Sequence, residues 1–392
     1  MRHLANEGKN PPRTSSALSI LIVGGGIAGL SMALFLERIG LRAEIAERAG
    51  EPNGHGGGIT LTLNGVRILN ELGLGALLEA KGTAINTIDI ADRNDRKLTS
   101  FDLRQYNRRY AQTMSIHRSS LHKLLSEGLT STNLRFNTSI TSIQNEEGKV
   151  KATFNSERSE YYDLAIGCDG MNSSLREYIF NRAYVKYAGY ACWRFVAEDC
   201  EEVATSAIKE MWGRGKRFGI VPLSNNRIHC FASVNAVEAS TKYRSISIEG
   251  FKQLFRDFKG CVPQLLNKLY DEKQLHYTEL GDVNLDSWIN GRVVLIGDAA
   301  HGMTPNMAQG ASMALEDAKI LAQHLSDTTS VEEALLDFFV ARRRRVNTIQ
   351  KRSKRLGKIG QLESRLFCGL RNFGWRHIPD SWIQRDFERI LV

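Results

Sequence analysis

The chain lacks the features that would mark a membrane, secreted or metal-holding protein. No apolar run reaches the roughly 20 residues that a bilayer crossing needs. The longest uncharged stretch runs from Thr14 to Leu36, and its apolar part from Ile20 is interrupted by Gly24, Gly25 and Gly26. A signal peptide would place a small-residue cleavage site just after such a run. Here the run passes into "LERIG", which reads as the last turn of an amphipathic helix closed by Gly40. The 6 cysteines form no CxxC pair and no metal-ligand spacing, so reduced, mostly buried thiols and a cytoplasmic location are expected, with no metal site. Proline is scarce at 7 in 392 residues, and 24% of residues are charged, so disorder is expected only at the ends, with residues 1–17 a disordered tail. No repeat period is present, which excludes solenoids and propellers. Nor is there a nucleophilic triad.

What is present begins in the ambiguous stretch itself. "LSILIV" reads as a buried strand, and Gly24, Gly26 and Gly29 follow as a G-x-G-x-x-G that opens a helix. A second strand, "RAEIAER", ends in Glu47, 18 residues after Gly29, with Arg48 next to it. Each glycine answers a physical need. Gly24 permits a tight turn, Gly26 lets a pyrophosphate approach closely, and Gly29 lets helix and strand pack closely. The helix N-terminus then offers free N–H groups and a positive dipole end to the phosphates. Glu47 can accept hydrogen bonds from both hydroxyls of an adenosine ribose. A lone GxGxxG is a weak signal, but strand, glycines, helix, strand and terminal acid in this order form a dinucleotide-binding turn. It suits NAD or FAD equally, and Arg48, taken as a residue of the same binding site, disfavours neither.

Two later blocks separate the two dinucleotides. "YYDLAIGCDGMNSSLRE" (161–177) and "GRVVLIGDAAHGMTPNMAQGASMALEDA" (291–318) follow the glycine turn in order. With it, they resemble the motif set of the single-component FAD-dependent aromatic hydroxylases, the 4-hydroxybenzoate hydroxylase-like flavoprotein monooxygenases, over roughly residues 18 to 365. The resemblance implies an α/β fold: a Rossmann-like FAD-binding domain (18–80, 110–180 and 281–345), an inserted β-sheet substrate domain (81–109 and 181–280) and a C-terminal helical segment (346–392). It implies FAD as cofactor, NADH or NADPH as co-substrate, and O2 as oxidant through a C4a-hydroperoxyflavin that hydroxylates an electron-rich ring. Asp298 would hold the ribityl chain, and Pro305 would lie beside the flavin ring. The helix opened by Gly310 and Ala311 would aim its N–H groups at the N1–C2=O edge, where reduction gathers negative charge. Asp169, before Gly170, would lie near the pyrophosphate, and Arg118 would open a helix beside it. Without the other blocks Arg118 would read as a solvated helix-end charge. His301, just past its strand, reads as a packing residue. There is no second GxGxxG, so the nicotinamide has no domain of its own.

The roof segments "ACWRFVAED" and "EMWGRGKRFGIVPLSNNRIHCFASV" are similar to those of the alkylquinolone 3-monooxygenases, as is "GKIGQLESRLFCGLRNFGWRHIP" near the C-terminus. This implies a small hydrophobic aromatic substrate, best represented by a 2-alkyl-4-quinolone hydroxylated at C3. Such a vinylogous amide needs no strong base. Arg194 and Arg217 are the polar candidates for the substrate or flavin edge; salt bridges on an exposed strand face are the alternative. Trp193 and Phe195 alternate with Arg194, so at most one of those faces lines a pocket. Other readings remain open at this point: a hydroxylase of a phenol, purine or tetracycline-like ring, or a flavin-binding sensor without turnover. Finally, "ARRRRVNTIQKRSKRLGKIG" carries 9 basic residues between Arg342 and Lys358 and no acid, which accounts for the whole net charge of +9. A packed helix with a solvated basic face, striped by Val346, Ile349, Leu356 and Ile359, is the bland reading. Peripheral contact of 342–358 with anionic lipid headgroups competes with it. Nucleic acid is not expected, because no aromatic residues interleave with the basic ones.

Overall fold

Ile20, Leu21, Ile22 and Val23 are all buried because their strand lies in the middle of a sheet covered on both faces, the environment in which a strand reads as a continuous apolar run. The computed structural model describes residues 18–50, 57–180, 185–200, 203 and 206–378. The expected tail at 1–17 and the end of the C-terminal segment, 379–392, lie outside them. In the first sheet the strand order is Ile289–Asn290, Val293–Leu295, Leu164–Gly167, Ile20–Val23, Ala43–Ala46, Asn133–Arg135. All neighbours are parallel except the first pair. The helix Ile27–Arg38 crosses between the first two strands of the chain and is buried continuously from Ala28 to Leu36. It lies between the sheet and the Gly310–Asp327 helix, which explains why its sequence carries no polar stripe.

The second large sheet has the order His276–Val283, Val185–Ala197, Arg227–Asn235, Lys216–Leu223, Ala207–Trp212, Thr87–Asp92, Lys97–Asp102. Its hairpins turn where the sequence indicates, at residues 93–96 and at Asn225–Asn226, both of which adopt left-handed φ of 62° and 54°. Trp193 pairs with Ala232, Arg194 with Phe231 and Phe195 with Cys230, so alternate residues divide the sheet into two faces. The outer face, with Trp193, Phe195, Phe218 and Ile220, packs against Phe251, Phe255 and Phe258. Tyr190, Cys192, Arg194, Arg217, His229, Phe231 and Ser233 lie on the other face. That face meets the first sheet's connecting segments: the His229 ring packs on Gly57 and Gly58, and Arg217 reaches Asn306.

The C-terminal region adds detail to two expectations. The division at 345/346 falls inside one helix, Val331–Gly360, because its apolar period runs on without a breaking residue. Nor is the basic run a uniformly solvated face. Arg342 is buried and pairs with Asp317 and Glu316, Arg345 also pairs with Glu316, and Arg343 donates to the Leu285 and Asp286 carbonyls. Of the apolar stripe, Val346 and Ile349 are buried, Leu356 is half-buried and Ile359 is exposed. Among the described residues no helix is long and apolar enough to cross a membrane, and no cluster of His, Cys, Asp or Glu could hold a metal ion.

Candidate active site

The glycine loop is shaped by backbone proximity. Gly24 has φ +104°, and a Cβ there would sit 2.7 Å from the Cys168 carbonyl oxygen, so the loop and the Cys168–Asp169 turn lie against each other. A Cβ on Gly29 would overlap the Gly24 carbonyl oxygen; helix and loop pack there backbone to backbone. Gly26 is different. Its φ is −77°, it carries no capping side chain, and a Cβ on it would meet nothing within 4 Å. Open space before uncapped helical N–H groups is a fit for a pyrophosphate.

Glu47 lies at the end of its strand, where Oε2 accepts from Gly25 N (2.6 Å) and Oε1 from Ala49 N (2.8 Å). The carboxylate therefore braces the glycine loop, a role the ribose contact expected of it does not include. A carboxylate has about four acceptor sites, and two remain. Arg48 is exposed. His122, which sequence reasoning missed, reaches the Gly25 carbonyl through Nε2 at 2.8 Å. It lies one turn beyond Arg118, which opens the helix Arg118–Glu127 and is exposed.

Asp169 Oδ2 accepts from Leu175 N (3.0 Å) and Ser174 Oγ (3.3 Å). Its Oδ1 is buried without a partner, an acceptor that a ligand donor would satisfy. Asp298 opens a short helix just past the Val293–Leu295 strand. A Cβ on Gly310 would be 3.8 Å from Asp298 Oδ1, so the carboxyl lies at the N-terminus of the Gly310–Asp327 helix, with Ala311 half-buried beside it. Asp298 is exposed to the open side of this turn, yet the protein atoms crowded around its carboxyl push it above its ordinary range; the His301 and Arg118 charges oppose that shift. The acids and glycines from distant blocks thus converge at the carboxyl ends of the neighbouring Ile20–Val23, Leu164–Gly167 and Val293–Leu295 strands, where they could hold FAD, and Arg118 is close enough for its charge to act on Asp298.

The loop from Gly302 to Gln309 passes Pro305, which is exposed. It is held from behind. Thr304 N donates to Asp282 Oδ1 at 3.0 Å, and Ser353 Oγ donates to the Thr304 carbonyl at 2.6 Å. Gln350 Nε2 donates to the Val283 and His301 carbonyls. Ala308 is forced to φ +52°, a left-handed conformation costing a non-glycine residue roughly 1–2 kcal/mol. Below the loop His301 is buried, with Nε2 2.5 Å from Asp317 Oδ2. Asp317 also accepts from Gly297 N and Arg342 Nε. Burial pushes the Asp317 carboxyl up, but the His301 and Arg342 charges outweigh this and hold it at about 2. His301 supports the loop, as its position in the sequence suggests.

Arg217 and Arg194 have different surroundings. Arg217 is buried on the inner face of the roof, donating to Glu210 Oε1 (3.0 Å), Asn306 Oδ1 (2.8 Å) and Gln361 Oε1 (3.3 Å) and stacking over Tyr190. Arg194 is half-buried on the same face and donates to Thr278 Oγ1 at 3.2 Å. Trp193 belongs to the opposite face, ringed by Tyr243, Phe251, Phe255 and Tyr277. Trp212 is buried edge-on against Trp375. Trp193 therefore packs the outer side, whereas Trp212 stands in register with Arg217 on the inner face and donates from Nε1 to Glu210 Oε1 at 2.9 Å.

Three inward polar atoms are buried without partners: His229 Nδ1, Ser233 Oγ and Gln361 Nε2. Burial, with Arg194 adding to it, pushes the His229 imidazole down to about 3, so it is neutral at working pH. Phe231 lies between His229 and Ser233 on one strand, its ring crossing the space a side chain at Gly219 would fill. Sequence reasoning missed His229, Ser233 and Gln361. Strand alternation groups His229 with Ser233, but nothing local says which side faces a ligand.

Comparisons with known proteins identify the family and the fold. The family model described as FAD binding domain matches residues 17–351. The chain is 31% identical over 358 residues to the aurachin C monooxygenase/isomerase of Stigmatella aurantiaca, covering 91% of this chain and 93% of that protein. It is 32% identical over 378 residues to the 2-heptyl-3-hydroxy-4(1H)-quinolone synthase of Pseudomonas aeruginosa, covering 96% and 98%. Among solved structures, Klebsiella pneumoniae HpxO complexed with FAD and uric acid superposes with a TM-score of 0.87 at 24% identity, over 95% of this chain and 96% of that one.

Proposed function

This chain belongs to the FAD binding domain family and is an FAD-dependent monooxygenase, and on that premise we propose that it hydroxylates a 2-alkyl-4-quinolone at C3. The bound flavin, reduced by NADH or NADPH, supplies oxygen activation; the chain's own residues bind, orient and exclude water. Gly24, Gly26, Gly29 and Glu47 would hold the adenosine and pyrophosphate, with Arg48, Arg118 and Asp169 around them. Asp298 and the helix start at Gly310–Ala311 would hold the ribityl chain and the flavin edge, with Pro305 against the ring.

The observation that carries the substrate assignment is the unpartnered His229 Nδ1 on the inner face of the roof. A 4-quinolone carries an N–H at position 1 and a carbonyl at position 4, joined through C2=C3. A hydrogen-bond acceptor at N1–H raises electron density at C3, the atom to be oxygenated. A neutral imidazole lone pair held at about 3 accepts that bond without removing the proton, which suits a ring that needs no strong base. Ser233 Oγ and Gln361 Nε2 remain to meet the carbonyl, and Arg217, fixed by Asn306 next to Pro305, closes that end. Phe231, Val221 and Ile208 supply apolar contact. The two relatives whose names concern aurachin and a heptylquinolone support the same reading.

The test is oxygen-dependent NAD(P)H consumption by the purified protein against a panel of 2-heptyl-4-quinolone, a phenol, urate and a tetracycline. Stimulation by the quinolone above the others supports the proposal. Preference for another ring leaves the monooxygenase and overturns the substrate. A flavin that no ring helps NAD(P)H to bleach would point to a sensor.

A further inference from the structure

The helix Arg365–His377 has three faces. Inward, Cys368 lies 3.1 Å from the Leu362 carbonyl, Arg371 donates to the Gly360 and Gly213 carbonyls, and Trp375 packs edge-on at 5.2 Å from Trp212. This side fixes the helix across the end of Val331–Gly360 and onto the roof. Outward, Leu366, Phe367, Leu370 and Phe373 are 68%, 57%, 59% and 64% exposed. Leu366, Leu370 and Phe373 recur at i, i+4 and i+7, a single stripe on a helix surface, and Phe367 widens it. Exposed apolar residues scattered singly need no explanation, whereas a contiguous rigid stripe does.

The surroundings of the stripe identify its occupant. Arg365 is exposed at the start of the helix, and Lys354, Arg355 and Lys358 are exposed on the last two turns of the preceding helix. Glu363 is the single acid between Phe339 and Ile378. The chain leading into the stripe, from Lys354 to Arg365, therefore carries four exposed bases against one acid, the part of the basic run that the core does not consume. A second copy of this chain would bring two basic segments together. An anionic lipid surface meets both demands: acyl chains cover the apolar side chains and headgroups neutralise the bases.

We propose that the outward face of Arg365–His377 docks this protein peripherally on anionic membranes, with the helix lying in the plane of the headgroups. This goes beyond the reaction and does not depend on which ring is hydroxylated.

The test uses the FAD-loaded full chain in flotation with vesicles of neutral phosphatidylcholine and with vesicles containing phosphatidylglycerol. Binding should be at least ten-fold tighter to the anionic vesicles and should weaken as salt is raised. The double variant Leu370→Glu/Phe373→Glu should lose that binding while keeping flavin content and NAD(P)H oxidation. Lys354→Glu/Lys358→Glu should weaken it and leave its apolar part. Equal binding to both vesicle types, no flotation with either, or full flotation of the Leu370→Glu/Phe373→Glu variant overturns the proposal. So does a concentration-dependent dimer in ultracentrifugation that this variant abolishes, since the stripe would then belong to a second copy.

Discussion

Gly26→Ala separates a glycine needed by the protein from one needed by its ligand. The backbone at Gly26, with φ −77° and ψ −169°, is open to alanine, and the added methyl would touch nothing within 4 Å. No strain opposes the change. Removing glycine's freedom from the unfolded chain stabilises by about 0.4–1 kcal/mol. The Tm of the FAD-free variant should therefore match that of the FAD-free wild type or exceed it by roughly a degree or two. Cofactor binding should behave oppositely. If the open space is where the pyrophosphate approaches the uncapped N–H groups, a methyl there costs at least one charge-assisted hydrogen bond. At about 1.5–3 kcal/mol, FAD affinity should fall roughly 10- to 150-fold. Gly29→Ala is the contrast, since its methyl would overlap the Gly24 carbonyl oxygen and backbone cannot yield cheaply. That variant should lose both stability, by about 1–3 kcal/mol, and FAD. The assay is fluorescence titration of deflavinated protein with FAD, beside thermal melts of the same samples. Unchanged FAD affinity in Gly26→Ala would refute the cradle; a Tm loss matching that of Gly29→Ala would refute the claim of open space.

Three further outcomes follow from the same geometry. Asp298→Ala should weaken FAD retention roughly 10- to 150-fold, the value of a charge-assisted hydrogen bond, while far-ultraviolet circular dichroism stays unchanged; wild-type retention would mean the ribityl chain lies elsewhere. His229→Leu should lower kcat/KM for 2-heptyl-4-quinolone about 5- to 150-fold, as expected when a buried group loses its partner. Its N-methyl analogue, which has no N–H to donate, should be affected little, and an equal loss on both would remove His229 from that role. Asp317 is held at about 2 when folded, against an unfolded value near 3.9. Its contribution to stability should be complete above about pH 4 and disappear as pH falls to about 2. Melts of wild type and Asp317→Asn between pH 5 and 2 should show a shallower acid loss in the variant, and parallel slopes would contradict the linkage.

How far the sequence anticipates the molecule depends on how local each constraint is. Gly24 and Gly29 announce themselves because a left-handed φ and a backbone overlap can be met by one residue type. The Gly302–Gln309 loop is legible for a similar reason, following a strand and preceding a helix. The roof is less legible. Alternation separates Trp193 from Arg194, yet only the packing of Phe251 and Phe255 on Trp193 and of His229 on Gly57 and Gly58 decides which face turns inwards. The basic run misleads in part because Asp317 and Glu316, the partners that bury Arg342, lie 25 and 26 residues earlier in the chain. A window along 342–358 sees only like charges. The open N–H groups at Gly26 and the unpartnered Nδ1 of His229 are tertiary features, visible only once distant segments are brought together.

The most direct test of the central claim is mass spectrometry of the product formed from 2-heptyl-4-quinolone and NAD(P)H by the FAD-loaded protein under ¹⁸O₂. The account predicts a 3-hydroxy product carrying one labelled oxygen atom. A product whose new oxygen comes from water, or no product while a phenol or tetracycline is labelled under the same conditions, would contradict it.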